Sequence, residues 1–320
     1  MTKLNDYIED SEDVLDTPTD IAMNAFLLSP PFNIAANEPN NAWMQDKAKE
    51  NGGKIEVDRM LAFNQWIELY HNLANSALVY NLPNTARAQD QIYTANIGVV
   101  NPDLDKPTFI LSNFKSPPRK IEEKMGLDFF KLMNYDVYQP EFTFEGEADL
   151  KYVKPGLWIG GHGQRSDART YEWMKKEFGM NIIPLKMEDE YLYHLDCMLF
   201  PLNTEKVMLC TELVEEETLA EIEKHVEIVD CDIDLAYQGI FNNIRNYGSI
   251  LSHSNLQELS YEDEYYEEQR RKVETLTKIC ANNGFEPIFV NISHISQTGG
   301  SLLSCVSMRL NYNDYQFSNT

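Results

Sequence analysis

The sequence lacks the marks of several protein classes. No run of about eighteen apolar residues is present, so no transmembrane helix is predicted. Basic residues are scarce, with 27 Lys and Arg against 51 Asp and Glu and a formal charge of −24. This balance argues against binding to nucleic acid or anionic membranes, and it fits a solvated surface or a cationic ligand. The acidic start MTKLNDYIEDSEDVLD has no apolar core, so we do not expect a signal peptide.

Paired cysteines and common metal-binding patterns are also missing. The five cysteines are scattered along 320 residues without a CxxC pair, and no HExxH motif occurs. An odd, scattered set favours free thiols in a reducing compartment, so we expect a cytoplasmic protein. Neither a metal nor a cofactor is expected, because no motif for either is found.

Segments typical of strands and of helices alternate along the chain, which predicts an α/β fold. Helices are predicted at 55–77, 119–132, 168–179, 215–227 and 268–284. Strands are predicted at 27–35, 78–83, 92–100, 107–114, 135–140, 157–161, 180–187, 205–213 and 285–293.

No linker rich in proline, glycine or serine divides the chain, and no exact repeat is seen, which favours one folded domain. Residues 1–22 are polar and acidic and are predicted to form an N-terminal extension, which leaves 23–320 as the domain. The acidic segment 255–269 is interpreted as a solvated helix or a lid insert.

A small set of reactive side chains stands out against this background. Cys305 follows a predicted strand and the pair Gly299-Gly300, so a backbone turn can present its thiol. His194 and Asp196 are two residues apart on a predicted strand, where alternate side chains project to the same face. A thiol, an imidazole and carboxylates well separated in sequence are typical of a nucleophilic site for a cationic substrate.

The segments around these residues resemble those of the guanidine-modifying hydrolases: arginine deiminases, dimethylargininases and arginine dihydrolases. The resemblance runs from about residue 25 to 312 and rests on NEPNNAWM, QDQIYTAN, SNFKSPPRK, FEGEAD, GHGQRSDARTYEW, YHLD and TGGSLLSC. It implies the pentein fold, an α/β propeller with five-fold pseudosymmetry and the site at its centre. It also makes 23–320 the catalytic domain.

The resemblance also implies roles for the reactive residues. Cys305 would be the nucleophile and His194 the acid and base, with Glu145 of FEGEAD orienting the imidazole. Asp90 and Asp196 would accept hydrogen bonds from the guanidinium. These roles meet the needs of guanidinium hydrolysis, in which a thiolate attacks, ammonia leaves with a proton, and water follows.

Four further residues match substrate-binding positions of the family. Arg165 and Arg119 would bind the carboxylate of an amino acid, since a planar guanidinium can grip a carboxylate with two hydrogen bonds. Asn41 and Asn96 match two asparagines of the dihydrolase branch, which removes both terminal nitrogens. Ala42 stands where relatives carry proline, and Glu147 or Ala148 stands where many carry a second glycine.

We therefore expect a hydrolase of free arginine, or of a methylated or related guanidine, that works through a Cys305 thiouronium and releases ammonia and ornithine. The alternatives are an arginine deiminase or dimethylargininase that stops at citrulline, an amidinotransferase, and a non-catalytic arginine-binding protein. A papain-like protease is disfavoured because its cysteine precedes its histidine. A small molecule is the expected partner, with neither nucleic acid nor membrane, and the sequence leaves the oligomeric state open.

Overall fold

The computed structural model describes residues 17–53, 55–85, 87–299 and 304–315. The helices are α1 (Ala42–Glu50), α2 (Arg59–Ala74), α3 (Lys120–Leu132), α4 (Ala168–Phe178), α5 (Glu216–Glu223), α6 (Ile233–Tyr237) and α7 (Tyr266–Asn282). The strands are β1 (Ala25–Leu28), β2 (Leu78–Asn81), β3 (Gly98–Asn101), β4 (Thr108–Leu111), β5 (Asp136–Tyr138), β6 (Leu150–Lys154), β7 (Leu157–His162), β8 (Ile182–Lys186), β9 (Leu199–Pro201), β10 (Lys206–Leu209), β11 (Glu227–Asp230), β12 (Asn243–Asn246), β13 (Ser249–His253), β14 (Glu286–Val290) and β15 (Met308–Arg309).

The strands form five sheets of three strands, and all five sheets follow one plan. In each sheet the middle strand pairs antiparallel with one neighbour and parallel with the other. A helical crossover connects the two parallel strands, as parallel pairing requires. The sheets are β3-β4-β5, β6-β7-β8, β9-β10-β11, β12-β13-β14 and β15-β1-β2.

The fifth sheet joins the two ends of the described chain. Strand β15 pairs antiparallel with β1, with Phe26 opposite Arg309, so the last strand completes the first sheet. Residues 1–16, most of the predicted extension 1–22, lie outside the described residues. Its last residues contact the domain: Thr19 Oγ1 donates to the carbonyl oxygen of Leu310 at 2.9 Å.

Helix ends follow local signals in the sequence. Asp58 caps α2 by accepting hydrogen bonds from two backbone N–H groups, and Asp167 caps α4 in the same way with one. Helix α4 ends at Gly179, whose φ of 69° is the left-handed conformation that glycine adopts at low cost. The five predicted helices are therefore confirmed, with ends that differ by a few residues.

The structure also differs from the predicted elements. Residues 92–100 do not form one strand: Thr94–Ile97 is a 3-10 helix, and only β3 is extended. Six strands match none of the predicted ones, namely β6, β9, β11, β12, β13 and β15, and the helices α1 and α6 were not predicted either. Each of these elements is short, so packing against neighbours determines it more than local sequence does.

The segment 255–269 lies at the surface. It contains a 3-10 helix, Leu256–Glu258, and runs into the first turn of α7. Tyr261, at its middle, is 86% exposed. Among the described residues, no helix is long and apolar enough to cross a membrane.

Candidate active site

Cys305 lies in a short 3-10 helix, Ser304–Val306, and residues 300–303 before it, which include Gly300, are outside the described part of the chain. Its side chain is 1% exposed. The thiol donates a hydrogen bond to Asp196 Oδ2, with 2.9 Å between Sγ and the oxygen. Burial and the negative charge of Asp196 raise the pKa of Cys305 well above its usual value, so the resting site holds a thiol.

His194 and Glu145 meet inside the protein, as the sequence led us to expect. The imidazole Nε2 lies 2.9 Å from Glu145 Oε2. Burial opposes ionisation of Glu145, but the positive charges of Arg165 and His194 outweigh it and hold the pKa of Glu145 below its usual range. The second ring nitrogen of His194, Nδ1, is buried without a hydrogen-bond partner among the described residues. Nδ1 is therefore the ring atom available for proton transfer.

A tight turn at Gly146 holds Glu145 in place. Gly146 has a φ of 67° and lies directly against the 3-10 helix that carries Asn96. A Cβ at this position would meet the carbonyl oxygen of Ala95 and approach the Asn96 carbonyl carbon to 2.8 Å. Only glycine fits both requirements, which explains the glycine of FEGEAD in physical terms.

His194 and Asp196 reach the site by a different route from the one predicted. Only His194 has an extended backbone, and Asp196 lies in the 3-10 helix Leu195–Cys197. A turn therefore brings both side chains to the site, whereas we expected a strand. Asp149 supports this turn, because its Oδ1 accepts a hydrogen bond from the Leu195 N–H at 3.2 Å.

Asp90 is buried and lines the same small cavity as His194 and Cys305. Its Oδ2 accepts hydrogen bonds from Asn40 Nδ2 at 2.8 Å and from Gln89 Nε2 at 3.0 Å. Burial raises the pKa of Asp90, which the positive charge of Arg119 partly offsets. A bound guanidinium would supply the positive charge that this carboxylate needs to stay ionised in a buried position.

The two asparagines also lie at the cavity. Asn96 Nδ2 is 3.4 Å from His194 Nε2. Asn41 has two functions in the structure: its Oδ1 caps α1 by accepting from the Met44 N–H, and its Nδ2 lies 3.3 Å from the carbonyl oxygen of Thr298. The cap fixes Asn41 at the start of the helix although Ala42 replaces the proline of the family.

Both arginines that were predicted to bind a carboxylate already pair with one inside the protein. Arg165 Nη1 lies 3.1 Å from Glu145 Oε2, and its guanidinium carbon sits 4.6 Å from the centre of the Tyr193 ring. Arg119 forms a two-point pair with Glu122, with distances of 2.9 and 2.6 Å. A substrate carboxylate bound to Arg165 would share that guanidinium with Glu145, and one bound to Arg119 would share it with Glu122.

Seven of the nine predicted residues line one small cavity of about 20 Å³, and the other two, Glu145 and Asp196, contact His194 and Cys305 of that lining. Its lining comprises Asn40, Asn41, Asp90, Tyr93, Asn96, Arg119, Arg165, Tyr193, His194, Thr298 and Cys305. A larger surface pocket of about 490 Å³ adjoins it and shares Asn40, Asn41, Arg165 and Tyr193 with it. These four side chains form the boundary between the surface pocket and the buried cavity.

Several site residues were not singled out from the sequence. Tyr93 hydrogen-bonds Thr298, and the Tyr193 ring covers His194 at 4.7 Å between ring centres. Asn40, Tyr93 and Tyr193 each lie within a motif already recognised, so proximity to those motifs was the available signal. Thr298 is likewise the first residue of the segment TGGSLLSC.

His194, Asp196 and Cys305 lie close enough to raise the question of a metal. One ligand atom from each falls within 4.8 Å of the others. However, Cys305 Sγ is only 2.9 Å from Asp196 Oδ2, whereas two ligands of a tetrahedral zinc ion lie about 3.5 Å apart. The short distance is that of a hydrogen bond, so we assign the three groups to thiol chemistry.

Comparison with known proteins agrees with this geometry. A family model described as N,N dimethylarginine dimethylhydrolase, eukaryotic, matches residues 30–311. The bifunctional arginine dihydrolase/ornithine cyclodeaminase AgrE of Nostoc sp. is 31% identical over 180 residues, which are 55% of this chain and 24% of AgrE. The chain thus matches about a quarter of that relative's length.

A curated dimethylarginine dimethylaminohydrolase of Mycobacterium tuberculosis is 26% identical over 181 residues, which cover 56% of this chain and 55% of that protein. Among solved structures, the product-bound N-terminal domain of ArgZ, a cyanobacterial arginine dihydrolase, superposes with a TM-score of 0.77. The superposition covers 90% of this chain and 97% of that domain at 21% identity, which establishes a shared fold.

Proposed function

Because the chain belongs to the N,N-dimethylarginine dimethylhydrolase family, and with it to the guanidine-modifying enzymes, we propose that it is a cysteine-dependent hydrolase of the guanidino group of free arginine. The observation that carries the proposal is one buried cavity that brings a thiol, an imidazole and a carboxylate together. Cys305, His194 and Asp90 all line it, and Asp196 lies 2.9 Å from the thiol.

The arrangement supports a covalent route. A guanidinium bound between Asp90 and Asp196 brings a positive charge to the thiol, which favours loss of the Cys305 proton. The thiolate attacks the guanidinium carbon, and His194 gives a proton to the departing ammonia. Water, deprotonated by His194, then attacks the thiouronium carbon and releases the thiolate. Glu145 holds the imidazole in position throughout, with 2.9 Å between Oε2 and His194 Nε2.

The proposed products are ornithine and ammonia. After the first hydrolysis the ureido group of bound citrulline remains, and a second attack by Cys305 expels a second ammonia. Hydrolysis of the resulting thiocarbamate frees ornithine and carbon dioxide. Asn41 and Asn96 support this second round, because both line the cavity and an amide side chain can donate and accept hydrogen bonds. The names of AgrE and ArgZ, both arginine dihydrolases, point the same way.

We propose that Arg165 binds the α-carboxylate of the substrate. It lies at the boundary between the surface pocket and the cavity, where an amino acid that enters guanidino end first would leave its carboxylate. Arg119 is deeper and is held by Glu122, so its contribution is to the charge of the site and to the support of Asp90.

The second candidate is a dimethylargininase, which releases an alkylamine and citrulline. The matched family model favours it, and so does the M. tuberculosis relative. An arginine deiminase would also stop at citrulline, and an amidinotransferase would pass the amidino group to an amine. All four reactions use the same thiol and differ in product, so product analysis separates them.

The test is incubation of the purified protein with L-arginine, with dimethylarginine and with agmatine, followed by measurement of ornithine, citrulline, ammonia and dimethylamine. Our proposal predicts about two ammonia per ornithine from arginine, as the two hydrolytic steps require. Citrulline alone would replace the dihydrolase with a deiminase, and faster turnover of dimethylarginine would favour the second candidate. The Cys305→Ser variant is the matched control, because it keeps the size of the side chain and lacks the thiol.

Three wider proposals accompany this function. The common plan of the five sheets supports the pentein arrangement with five-fold pseudosymmetry. The need for a reduced Cys305 thiol supports a reducing compartment, which we propose to be the cytoplasm. The expected partner remains a small molecule, with no nucleic acid or membrane.

A further inference from the structure

A second cavity, which we call the rear cavity, lies beside Ser304, the residue before Cys305, and shares no lining residue with the active-site cavity. It has a volume of about 30 Å³, and its lining includes Glu147, Lys151, Ser304 and Arg309. Ser304 links the two sites: its Oγ donates to Asp196 Oδ2 at 2.7 Å, and this oxygen also accepts from the Cys305 thiol. The rear cavity is therefore one side chain away from the nucleophile.

The cations that line the rear cavity differ in whether a carboxylate pairs with them directly. Arg309 Nη1 lies 2.7 Å from Asp314 Oδ1, and Arg245 Nε lies 3.6 Å from Asp314 Oδ2. These two arginines thus share one carboxylate, that of Asp314. Lys151 is the third cation of the described lining.

Lys151 faces the negative groups of the site. Burial disfavours its charge, but the carboxylates of Asp196 and Glu147 outweigh this and raise the pKa of Lys151, so the ammonium stays charged. Its charge also acts on Cys305 and lowers the pKa of the thiol, although burial and Asp196 raise it more strongly. Glu147, whose pKa is raised by burial, lies beside Lys151 and weakens its effect.

We propose that Lys151 is a positioning residue that balances the negative charge of Asp196 and of the Cys305 thiolate from the rear cavity, with Glu147 setting the strength of this balance. This inference rests on the proposed function of Cys305 as the nucleophile. It adds a residue that touches neither the substrate nor the reacting carbon. The substrate cation supplies positive charge from the active-site cavity once it is bound. Lys151 supplies positive charge from the rear cavity before the substrate binds.

Other ionisable groups also face Cys305 from the surrounding elements. They are Tyr93, Tyr193, His194, Asp196 and Cys197. Arg119 and Arg165 line the cavity on the substrate side. The two tyrosines have a raised pKa through burial and stay neutral. A change at Lys151 therefore removes the lysine of the rear cavity and leaves the arginines of the substrate side in place.

The test measures alkylation of Cys305 by iodoacetamide as a function of pH, without substrate, with the labelled cysteine identified by peptide mass spectrometry. We expect Lys151→Met to move the midpoint of the labelling profile up by about one pH unit and to slow labelling below the midpoint about tenfold. Glu147→Gln should move the midpoint down, since it removes a negative charge. The double variant should lie close to wild type.

Lys154→Met is the matched control. Lys154 lies on the same strand, but its Nζ donates to the carbonyl oxygen of His225 at 2.7 Å, away from the site. This control should leave the midpoint unchanged. If Lys151→Met fails to fold, the downward shift of Glu147→Gln still decides the matter, because a purely structural role predicts no shift.

Two outcomes overturn the inference in distinguishable ways. If neither Lys151→Met nor Glu147→Gln moves the midpoint, while Cys305→Ser has lost turnover of L-arginine, Lys151 has no such role and the proposed function stands. If Cys305→Ser keeps wild-type turnover of L-arginine, the nucleophile itself is wrong, and the proposed function fails together with the inference.

Discussion

At the scale of single residues, the site is built from groups that each serve two partners. Arg165 pairs with Glu145 and lies at the mouth of the cavity, Asn41 caps a helix and lines the cavity, and Asp196 accepts from both Cys305 and Ser304. Substitutions at these positions therefore have two effects, and a useful test must separate them.

Arg165→Ala should raise KM for arginine much more than KM for agmatine, which lacks the carboxylate. Loss of a charge-assisted pair of hydrogen bonds is worth about 1.5–3 kcal/mol, or roughly tenfold to a hundredfold in KM. Because Arg165 also pairs with Glu145, kcat should fall for both substrates. Steady-state kinetics with both compounds provide the measurement, and an equal rise of KM for the two would show that Arg165 does not bind the α-carboxylate.

Asn41→Ser should change the product. Serine keeps an oxygen that can cap α1, but it removes the amide group that faces the cavity. We expect the variant to carry out the first hydrolysis and release citrulline with one ammonia, because the ureido group loses a hydrogen-bond partner. Chromatographic quantification of citrulline and ornithine is the readout. Undiminished ornithine release would show that Asn41 is not needed for the second step.

At the scale of elements, short turns carry the reactive groups, and helices and strands hold the turns. Asn96, Asp196 and Cys305 each lie in a 3-10 helix of three or four residues. The turn at Gly146 packs directly on the first of these, so the position of Glu145 relative to Asn96 depends on close contact between two backbones.

Gly146→Ala should destabilise the protein and reduce activity. The new Cβ would meet the Ala95 carbonyl in a conformation with φ of 67°, so we expect a loss of at least about 2 kcal/mol in the free energy of unfolding. Gly156→Ala is the control: its φ is 74° but nothing lies within 4 Å of the added Cβ, so about 1 kcal/mol is expected. Chemical denaturation compares the two, and equal losses would contradict the packing argument.

Helix α7 carries a buried lysine that forms no ion pair with any residue the structure describes. Lys272 donates to the carbonyl oxygen of His253 at 2.6 Å, and burial lowers the pKa of Lys272 to about 7. The folded state therefore binds fewer protons than the unfolded chain between about pH 7 and the ordinary lysine pKa of about 10. The burial cost is present in full below about pH 7, and stability from this group rises with pH above it.

Lys272→Met should therefore stabilise the protein at neutral pH by about 2 kcal/mol, with a gain that shrinks as pH rises towards about 9. Urea unfolding of wild type and variant at several pH values is the measurement. Lys278→Met, an exposed position on the same helix, should have little effect. A gain that is constant with pH would show that Lys272 is not the titrating group.

The elements also show how far the sequence can predict this structure. Helices with strong periodicity and capping residues, such as α2 and α4, were predictable because the signal is local. The 3-10 helix that carries Asn96 was not, since the segment 92–100 has the composition of a strand and a neighbouring turn packs against its first half. The α/β class and the residues of the site were predictable, but the turns that orient them were not.

At the scale of the whole molecule, the described residues form five sheets of the same plan without a recognisable sequence repeat. The plan requires only that strands alternate with helices and that apolar side chains fill the layers between them, and many sequences satisfy this. Pairing of β15 with β1 brings the two ends of the described chain together. That contact depends on the final tertiary arrangement and has no local signal.

The separation of residues along the chain explains why Lys151 was not recognised from the sequence as a residue of the site. Cys305, Asp196 and Lys151 come from three distant parts of the chain, and only the folded molecule places the lysine near the thiol. Glu147 lies in the motif that contributes Glu145, yet it lines the rear cavity while its neighbour joins His194. A single turn thus supplies one carboxylate to the active site and one to the rear cavity.

The central claim, covalent catalysis by Cys305, is tested most directly by acid-quenched turnover with L-arginine followed by peptide mass spectrometry. The account predicts an arginine-derived adduct on the peptide that contains Cys305, absent from the other cysteines and absent in Cys305→Ser. It also predicts that Cys305→Ser loses at least about a thousandfold in kcat. Turnover without an adduct, together with substantial activity in Cys305→Ser, would contradict it.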